Sequence, residues 1–100
     1  MRLYTKIFFK RILSAGIFSI IYPVKERNII GIRVSHARKN ATPPITQGDL
    51  IARLQVLGIM LDQSTLSKIE NQQRPVTDIE LVELSKALKV STGSLLGEDS

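Results

Sequence analysis

Residues 62–78, DQSTLSKIENQQRPVTD, contain the side chains that are best suited to binding chemistry. Leu66 and Ile69 are three positions apart, the spacing of neighbours on one side of a helix. At about 100° per residue, the opposite side carries Gln63, Ser64, Ser67, Lys68 and Asn71. Their amides, hydroxyls and single ammonium group could hydrogen-bond to base edges in the major groove of DNA. A solvated helix surface is the alternative interpretation of the same pattern.

Catalytic and metal-binding chemistry are not indicated by the residue types. The chain has no Cys and a single His, which excludes a disulfide framework, a thiolate nucleophile and a thiolate zinc site. It has no glycine-rich phosphate loop. His36 lies among basic residues without a nucleophile beside it, and we interpret it as a surface residue. We therefore expect no enzyme activity, no metal and no cofactor, and the lack of cysteine favours the reducing cytoplasm.

Positive charge is concentrated at the start of the chain. The formal net charge is +5, and residues 1–24 contribute +4 because they carry four basic residues and no acid. The rest of the chain therefore has a net charge of only +1. At this value the charge of the predicted domain is a weak indication of a nucleic-acid partner.

Residues 1–24 are predicted to form a leader that is separate from a domain at residues 25–100. The uncharged run from Ile12 to Val24 has 13 residues, fewer than the ~20 needed to cross a bilayer as a helix. A basic segment before an apolar one resembles a signal peptide, but Tyr22-Pro23 stands where a cleavage site would be expected. An interfacial membrane anchor is another alternative. We favour a leader with no role in the fold, such as upstream sequence read from a misplaced start.

From Lys25 onward the apolar spacing predicts short helices and no strand of useful length. In the first helix the inward positions are Ile30, Val34, Ala37 and Ala41, the solvent side carries Arg33, Arg38 and Lys39, and residues 42–44 (TPP) end it. The second helix begins at Thr46 with a capping box to Asp49 and ends at a left-handed Gly58. Its inward positions are Leu50, Leu54 and Leu57.

Three further helices follow, which makes five in all and an all-α domain. Asp62 caps the third, which extends to about Asn71 with Leu66 and Ile69 inside. Thr77 and Glu80 form a capping box for the fourth, whose inward positions are Leu81, Leu84 and Leu88. Ser91 caps a last short helix that carries Leu95 and Leu96 and ends at Gly97.

Two segments resemble the helix-turn-helix domain of the Cro and phage-repressor type, found in XRE-like bacterial transcriptional regulators. They are ITQGDLIARL and STLSKIENQQRPVTDIELVELSKALKVSTGSLLG. The most specific parts are Thr46-Gln47, the stretch SKIEN at residues 67–71 and the stretch ALKVS at residues 87–91. The resemblance extends from about Asn28 to Gly97. It implies a compact, lambda-repressor-like five-helix domain that binds DNA through a recognition helix at about residues 62–71.

The resemblance also implies roles for individual residues. Base edges would be contacted by Gln63, Ser64 and Lys68, and by Ser67 on the same outward side. The DNA phosphates would be contacted by Gln47 at the start of the second helix and by Asn71 and Arg74 just past the third. Glu70 would pair with Arg38 of the first helix. A solvated Glu70 is the alternative, and exposed pairs contribute only ~0–1 kcal/mol.

Double-stranded DNA and a second copy of the chain are the partners that this resemblance implies. We expect a repressor that binds a two-fold operator as a homodimer, with contacts around Leu95 and Leu96. One alternative is an antitoxin or protein-interaction module of the same fold. The other is a membrane-tethered regulator anchored by residues 1–24.

The sequence departs from the family pattern in the two links that flank the second helix. The segment from Gln55 to Leu61 is longer than the usual tight turn, which predicts an extended second helix that turns at Gly58. Ile59 and Leu61 would then pack inward. The link ATPPIT, residues 41–46, is also longer than usual.

Overall fold

The structure, a computed structural model, describes residues 25–98 and contains five helices in that range. They are α1 (Gly31–Lys39), α2 (Gln47–Val56), α3 (Gln63–Glu70), α4 (Asp78–Leu88) and α5 (Thr92–Leu96). The predicted all-α, five-helix domain is confirmed. The predicted leader and the last two residues of the predicted domain lie outside the described residues. None of the helices in residues 25–98 has the length and apolarity required to cross a membrane.

The starts of α2 to α5 follow directly from local sequence. Thr46, Asp62, Thr77 and Ser91 each accept a hydrogen bond from the backbone N–H three residues later. The predicted capping boxes at Thr46 and Thr77 are both present. Around each cap, two apolar residues five positions apart lie in or against the core, the spacing of a hydrophobic staple. These pairs are Ile45 and Leu50, Leu61 and Leu66, Val76 and Leu81, and Val90 and Leu95.

Four helix ends share one backbone geometry, including the end of α5, where the predicted Gly97 has φ +79°. After α2, Gly58 has φ +91°, and the N–H of Ile59 donates to the carbonyl of Leu54 at 2.8 Å, as in a Schellman motif. The predicted left-handed Gly58 is thus confirmed. Gln72 after α3 and Lys89 after α4 take the same left-handed conformation, with φ of 61° and 58°. Sequence reasoning missed these two because neither is a glycine.

The core departs from the predicted inward positions at two residues, Leu57 and Ile45. Leu57 is 39% exposed because α2 ends at Val56 and the chain turns away at Gly58. Ile45 is buried although no helical stripe contains it. Ala41 lies beyond the end of α1 at Lys39, but it still packs against the core. Ile59 and Leu61 pack inward as predicted.

Two helices hold α3 in place. α3 contacts α1 and α2, while α4 packs against α1 and α2 and α5 closes the bundle against α1 and α4. The completely or almost completely buried side chains are Val34, Leu50, Leu54, Leu66, Ile69, Leu84 and Leu95. The apolar side of α3 is therefore fixed in the core, and its polar side faces outward.

Candidate nucleic-acid interface

The outward side of α3 is the side that the sequence predicts. Leu66 and Ile69 are fully buried, whereas Gln63, Ser64 and Lys68 are exposed. Ser67 is half-buried, so it has less free surface than those three. The first turn of α3 therefore presents an amide and a hydroxyl, with one ammonium group a turn later.

Gln47, the first residue of α2, connects the starts of α2 and α3. Its Oε1 accepts hydrogen bonds from Gln63 Nε2 at 3.2 Å and from Ser67 Oγ at 3.4 Å. Its own Nε2 donates to Glu70 Oε1 at 3.1 Å. The structure thus brings predicted base-contacting and phosphate-contacting residues into one network, which limits how far the first turn of α3 moves relative to α2.

A buried ion pair joins α3 to α1. Arg38 Nε donates to Glu70 Oε2 at 2.9 Å and Arg38 Nη2 donates to Glu70 Oε1 at 3.0 Å. The side chains of Arg38 and Glu70 are only 11% and 7% exposed. The prediction that Arg38 faces solvent on the first helix is therefore wrong. Its guanidinium turns inward because Glu70 and the carbonyl of Ile45, at 3.1 Å from Nη1, accept its N–H groups.

Asn28 forms a clamp at the other end of α3, and the sequence reasoning missed it. Its Nδ2 donates to the carbonyls of Ile69 at 3.0 Å and Arg74 at 2.8 Å. Its Oδ1 accepts from the N–H groups of Ile30 and Gly31 at the start of α1. An Asn that accepts from the N–H groups two and three residues later is a local signal that could have been recognised in the sequence. The two long-range bonds have no such signal.

The two phosphate candidates beyond α3 differ in their surroundings. Asn71 is exposed and ends the helix. The guanidinium of Arg74 forms a bidentate pair with Glu80, with Nη1–Oε1 at 3.0 Å and Nη2–Oε2 at 2.9 Å. The Arg74 side chain is 31% exposed. It therefore links the loop after α3 to the first turn of α4 in the free protein.

Acid should destabilise the domain through Glu80. Hydrogen bonds from the Arg74 guanidinium are the main cause that holds the pKa of Glu80 below its ordinary value of 4.5, against the opposing effect of burial. Because this pKa is lowered in the folded state, its stabilising contribution is complete above about pH 5 and is lost as pH falls through the folded-state pKa. We expect Glu80→Gln to flatten the acid side of the unfolding free energy, measured by urea denaturation between pH 7 and pH 3.

Part of the acid dependence should remain in that variant. Cap hydrogen bonds from the backbone N–H groups of Thr46 and Thr65 lower the pKa values of Asp49 and Asp62. An acid dependence that is identical in Glu80→Gln and the parent protein would contradict a role for the Arg74–Glu80 pair.

Comparison with protein families gives a match to the part of the chain that contains α3. A family model described as helix-turn-helix matches residues 55–95, from the last turn of α2 to α5. Residues 55–95 therefore match a helix-turn-helix family, in agreement with the resemblance to the Cro and phage-repressor type. The match supports the general interpretation of the chain as a DNA-binding transcriptional regulator.

The helix-turn-helix match includes α3 and the α2–α3 turn but begins after Gln47 and Arg38. Those two residues are linked to it through their contacts with Glu70. Comparison with curated proteins and with solved structures gives no significant match. Among residues 25–98 no group of three or more His, Asp or Glu side chains could hold a metal ion.

Proposed function

We propose that the protein is a repressor that places α3 in the major groove of a specific operator. The observation that supports this is that the exposed polar side of α3 is held in place by the buried side of the same helix. Gln63, Ser64 and Lys68 are exposed on a helix that is fixed by buried Leu66 and Ile69. In a helix-turn-helix, the N-terminal residues of the recognition helix reach the base edges. Gln63 and Lys68 would form the main base contacts, and Ser64 and Ser67 would add shorter-range hydrogen bonds.

Phosphate contacts are proposed at the start of α2 and after α3. The capping box engages the N–H groups of Thr46 and Asp49, and the first N–H groups of a helix have no partner within it. The N–H of Gln47 therefore suits a DNA phosphate docked at this helix start. Its side-chain Nε2 would share its two hydrogens between Glu70 and that phosphate. Asn71 would contact the backbone at the far end of α3. Arg74 would share its guanidinium between Glu80 and a phosphate.

A homodimer on a two-fold operator is part of the proposal. A single α3 reads one segment of the groove, and two copies would read half-sites about one helical turn apart, ~34–36 Å. Leu95 is only 1% exposed and offers no surface to a second copy. α5 could contribute half-buried Leu96 and the exposed residues around it to the contact between two copies.

Lys68→Ala and Gln63→Ala should each reduce operator affinity by ~1–3 kcal/mol and leave affinity for scrambled DNA nearly unchanged. Loss of a base contact reduces the discrimination between the operator and other sequences, whereas non-specific binding depends mainly on phosphate neutralisation. Fluorescence anisotropy with the duplex upstream of the coding region and a scrambled duplex measures both. Arg74→Ala should weaken binding to both duplexes and reduce the salt slope by about one unit.

Lys86→Ala is the charge-matched control for Lys68→Ala. Lys86 is an exposed lysine on α4, where it pairs with Glu83 at 3.4 Å. Its removal should leave the ratio of operator to scrambled affinity unchanged. If Lys68→Ala and Gln63→Ala also leave that ratio unchanged, with circular dichroism showing a folded domain, the polar side of α3 is only solvated and the proposal fails.

A further inference from the structure

The guanidinium of Arg74 has one edge bonded to the protein and one edge free. Its Nη1 donates to Glu80 Oε1 and to the carbonyl of Pro75, both at 3.0 Å, and its Nη2 donates to Glu80 Oε2 at 2.9 Å. These bonds use three of the five N–H groups of a guanidinium. Within residues 25–98 the other two, the Nε–H and the second N–H of Nη2, have no acceptor. They lie side by side on the edge of the planar group that does not face Glu80.

Arg38 of the same domain shows what this edge can bind. Its Nε and Nη2 donate to the two oxygens of the Glu70 carboxylate at 2.9 and 3.0 Å. A phosphate also offers two oxygens to this pair of N–H groups, and arginine binds both anions in the same bidentate way. The Arg38 side chain is only 11% exposed, whereas that of Arg74 is 31% exposed. The free edge of Arg74 therefore suits a phosphate that comes from outside the domain.

We propose that Glu80 is a positioning residue for DNA binding, which orients Arg74 so that its Nε–Nη2 edge meets a phosphate. This inference rests on the proposed function. It adds to that function the atoms of one phosphate contact and the residue that orients them. The carboxylate and the phosphate would use different edges of the guanidinium, so DNA does not have to displace Glu80.

The surroundings of the Arg74–Glu80 pair make it a fixed support. The Glu80 side chain is only 11% exposed, and its Oε1 also accepts from the N–H of Thr77 at 2.9 Å. The carbonyl of Arg74 accepts from Asn28 Nδ2 at 2.8 Å. Both the backbone and the guanidinium of Arg74 are thus held before DNA binds. A side chain that is already ordered loses less conformational entropy on binding, so Glu80 should increase the affinity for DNA.

Glu80→Gln tests this role, because glutamine keeps the size of the side chain and an acceptor for Thr77 but loses the second oxygen that binds Arg74. Fluorescence anisotropy should show affinity for both the operator and the scrambled duplex reduced by roughly 2- to 10-fold relative to Glu83→Gln, the factor for ordering one side chain. Glu83→Gln is the charge-matched control on the same helix, where Glu83 pairs with Lys86. In an Arg74→Ala background, Glu80→Gln and Glu83→Gln should have equal effects.

A second measurement uses the unsubstituted full-length chain, so it does not depend on the folding of Glu80→Gln. The Nε–Hε signal of Arg74 in a nitrogen-15 correlation spectrum is assigned by its absence in Arg74→Lys. Addition of the scrambled duplex should shift this signal and slow its exchange with water, because the Nε–H gains a phosphate acceptor.

Three results would overturn the proposal. Affinity that is higher in Glu80→Gln than in Glu83→Gln would mean that the Glu80 carboxylate competes with DNA for Arg74. The same loss from Glu80→Gln with and without Arg74 would mean that Glu80 acts only through the stability of the domain. An Nε–Hε signal that does not change when DNA binds would mean that the free edge does not meet a phosphate.

Arg74→Ala separates failure of this inference from failure of the proposed phosphate contact. If Arg74→Ala leaves binding to both duplexes unchanged, the contact itself is absent and the positioning role fails with it. If Arg74→Ala weakens binding while Glu80→Gln behaves as Glu83→Gln does, Arg74 contacts DNA without help from Glu80, and only the positioning role is wrong.

Discussion

Glu70→Ala should lower the free energy of unfolding by about 3–5 kcal/mol, the range for removing one partner of a buried ion pair. Three donors lose their acceptor in this variant, namely Arg38 Nε, Arg38 Nη2 and Gln47 Nε2. The Arg38 side chain is 11% exposed, so water replaces the carboxylate poorly and a buried charge is left without a counter-charge. For a small domain with ~5–15 kcal/mol of stability, this is a large fraction of the total.

The measurement is urea denaturation, with Glu83→Ala as the matched control. Glu83 also pairs with a basic residue, but its partner Lys86 is 59% exposed and the N–O distance is 3.4 Å. Loss of such a pair should change the stability by only ~0–1 kcal/mol. Equal losses in Glu70→Ala and Glu83→Ala would show that the Arg38–Glu70 pair contributes no more than a surface pair.

A double variant separates the charge from the packing. Arg38→Met combined with Glu70→Leu removes both charges and keeps apolar volume, and such replacements are often neutral or stabilising by ~1–4 kcal/mol. We expect the double variant to recover most of the stability lost in Glu70→Ala. Recovery should be incomplete, because the Ile45 carbonyl loses its Arg38 donor and Gln47 Nε2 loses its Glu70 acceptor. A double variant as unstable as Glu70→Ala would mean that the domain needs the specific hydrogen bonds of the Arg38–Glu70 pair and that apolar packing does not replace them.

Gly31→Ala should destabilise the domain by about 3 kcal/mol or more, at or beyond the upper end of the usual cost of overpacking. A Cβ at Gly31 would overlap the carbonyl oxygen of Ile69 and lie 3.0 Å from the carbonyl oxygen of Glu70. Both neighbours are backbone atoms at the end of α3, so no side chain can rotate away. The start of α1 must therefore move from α3 and stretch the hydrogen bonds of Asn28.

Gly48→Ala is the matched control, since it is the same change near the start of another helix. The Cβ added there would have its nearest contact at 3.8 Å, to Thr46 Oγ1. With no clash, Ala in place of a helical Gly should stabilise the domain by up to ~1 kcal/mol. For a domain of this size a change of 1 kcal/mol shifts Tm by roughly 4–8 °C. Thermal unfolding should therefore move in opposite directions for the two variants, and a Tm for Gly31→Ala as high as that for Gly48→Ala would contradict the steric argument.

The sequence by itself determined the helices and the orientation of α3. Caps such as Asp62 and Thr77 act on N–H groups three residues away, so the information that begins a helix is local. Leu66 and Ile69 fix which side of α3 is buried, and the exposure of Gln63, Ser64 and Lys68 follows from the helical repeat. These are interactions within one or two turns, which periodicity and capping rules describe well.

The tertiary structure alone decided which residues hold α3 to the rest of the domain. Ile45 is buried and Leu57 is exposed because the turn at Gly58 and the path of the α1–α2 link set their positions. The bonds from Asn28 to Ile69 and Arg74, which are 41 and 46 positions away, depend on how α1 packs against α3. A helical pattern specifies which side of a helix faces inward, but a polar partner on another helix is fixed only when the core brings the two within hydrogen-bonding distance.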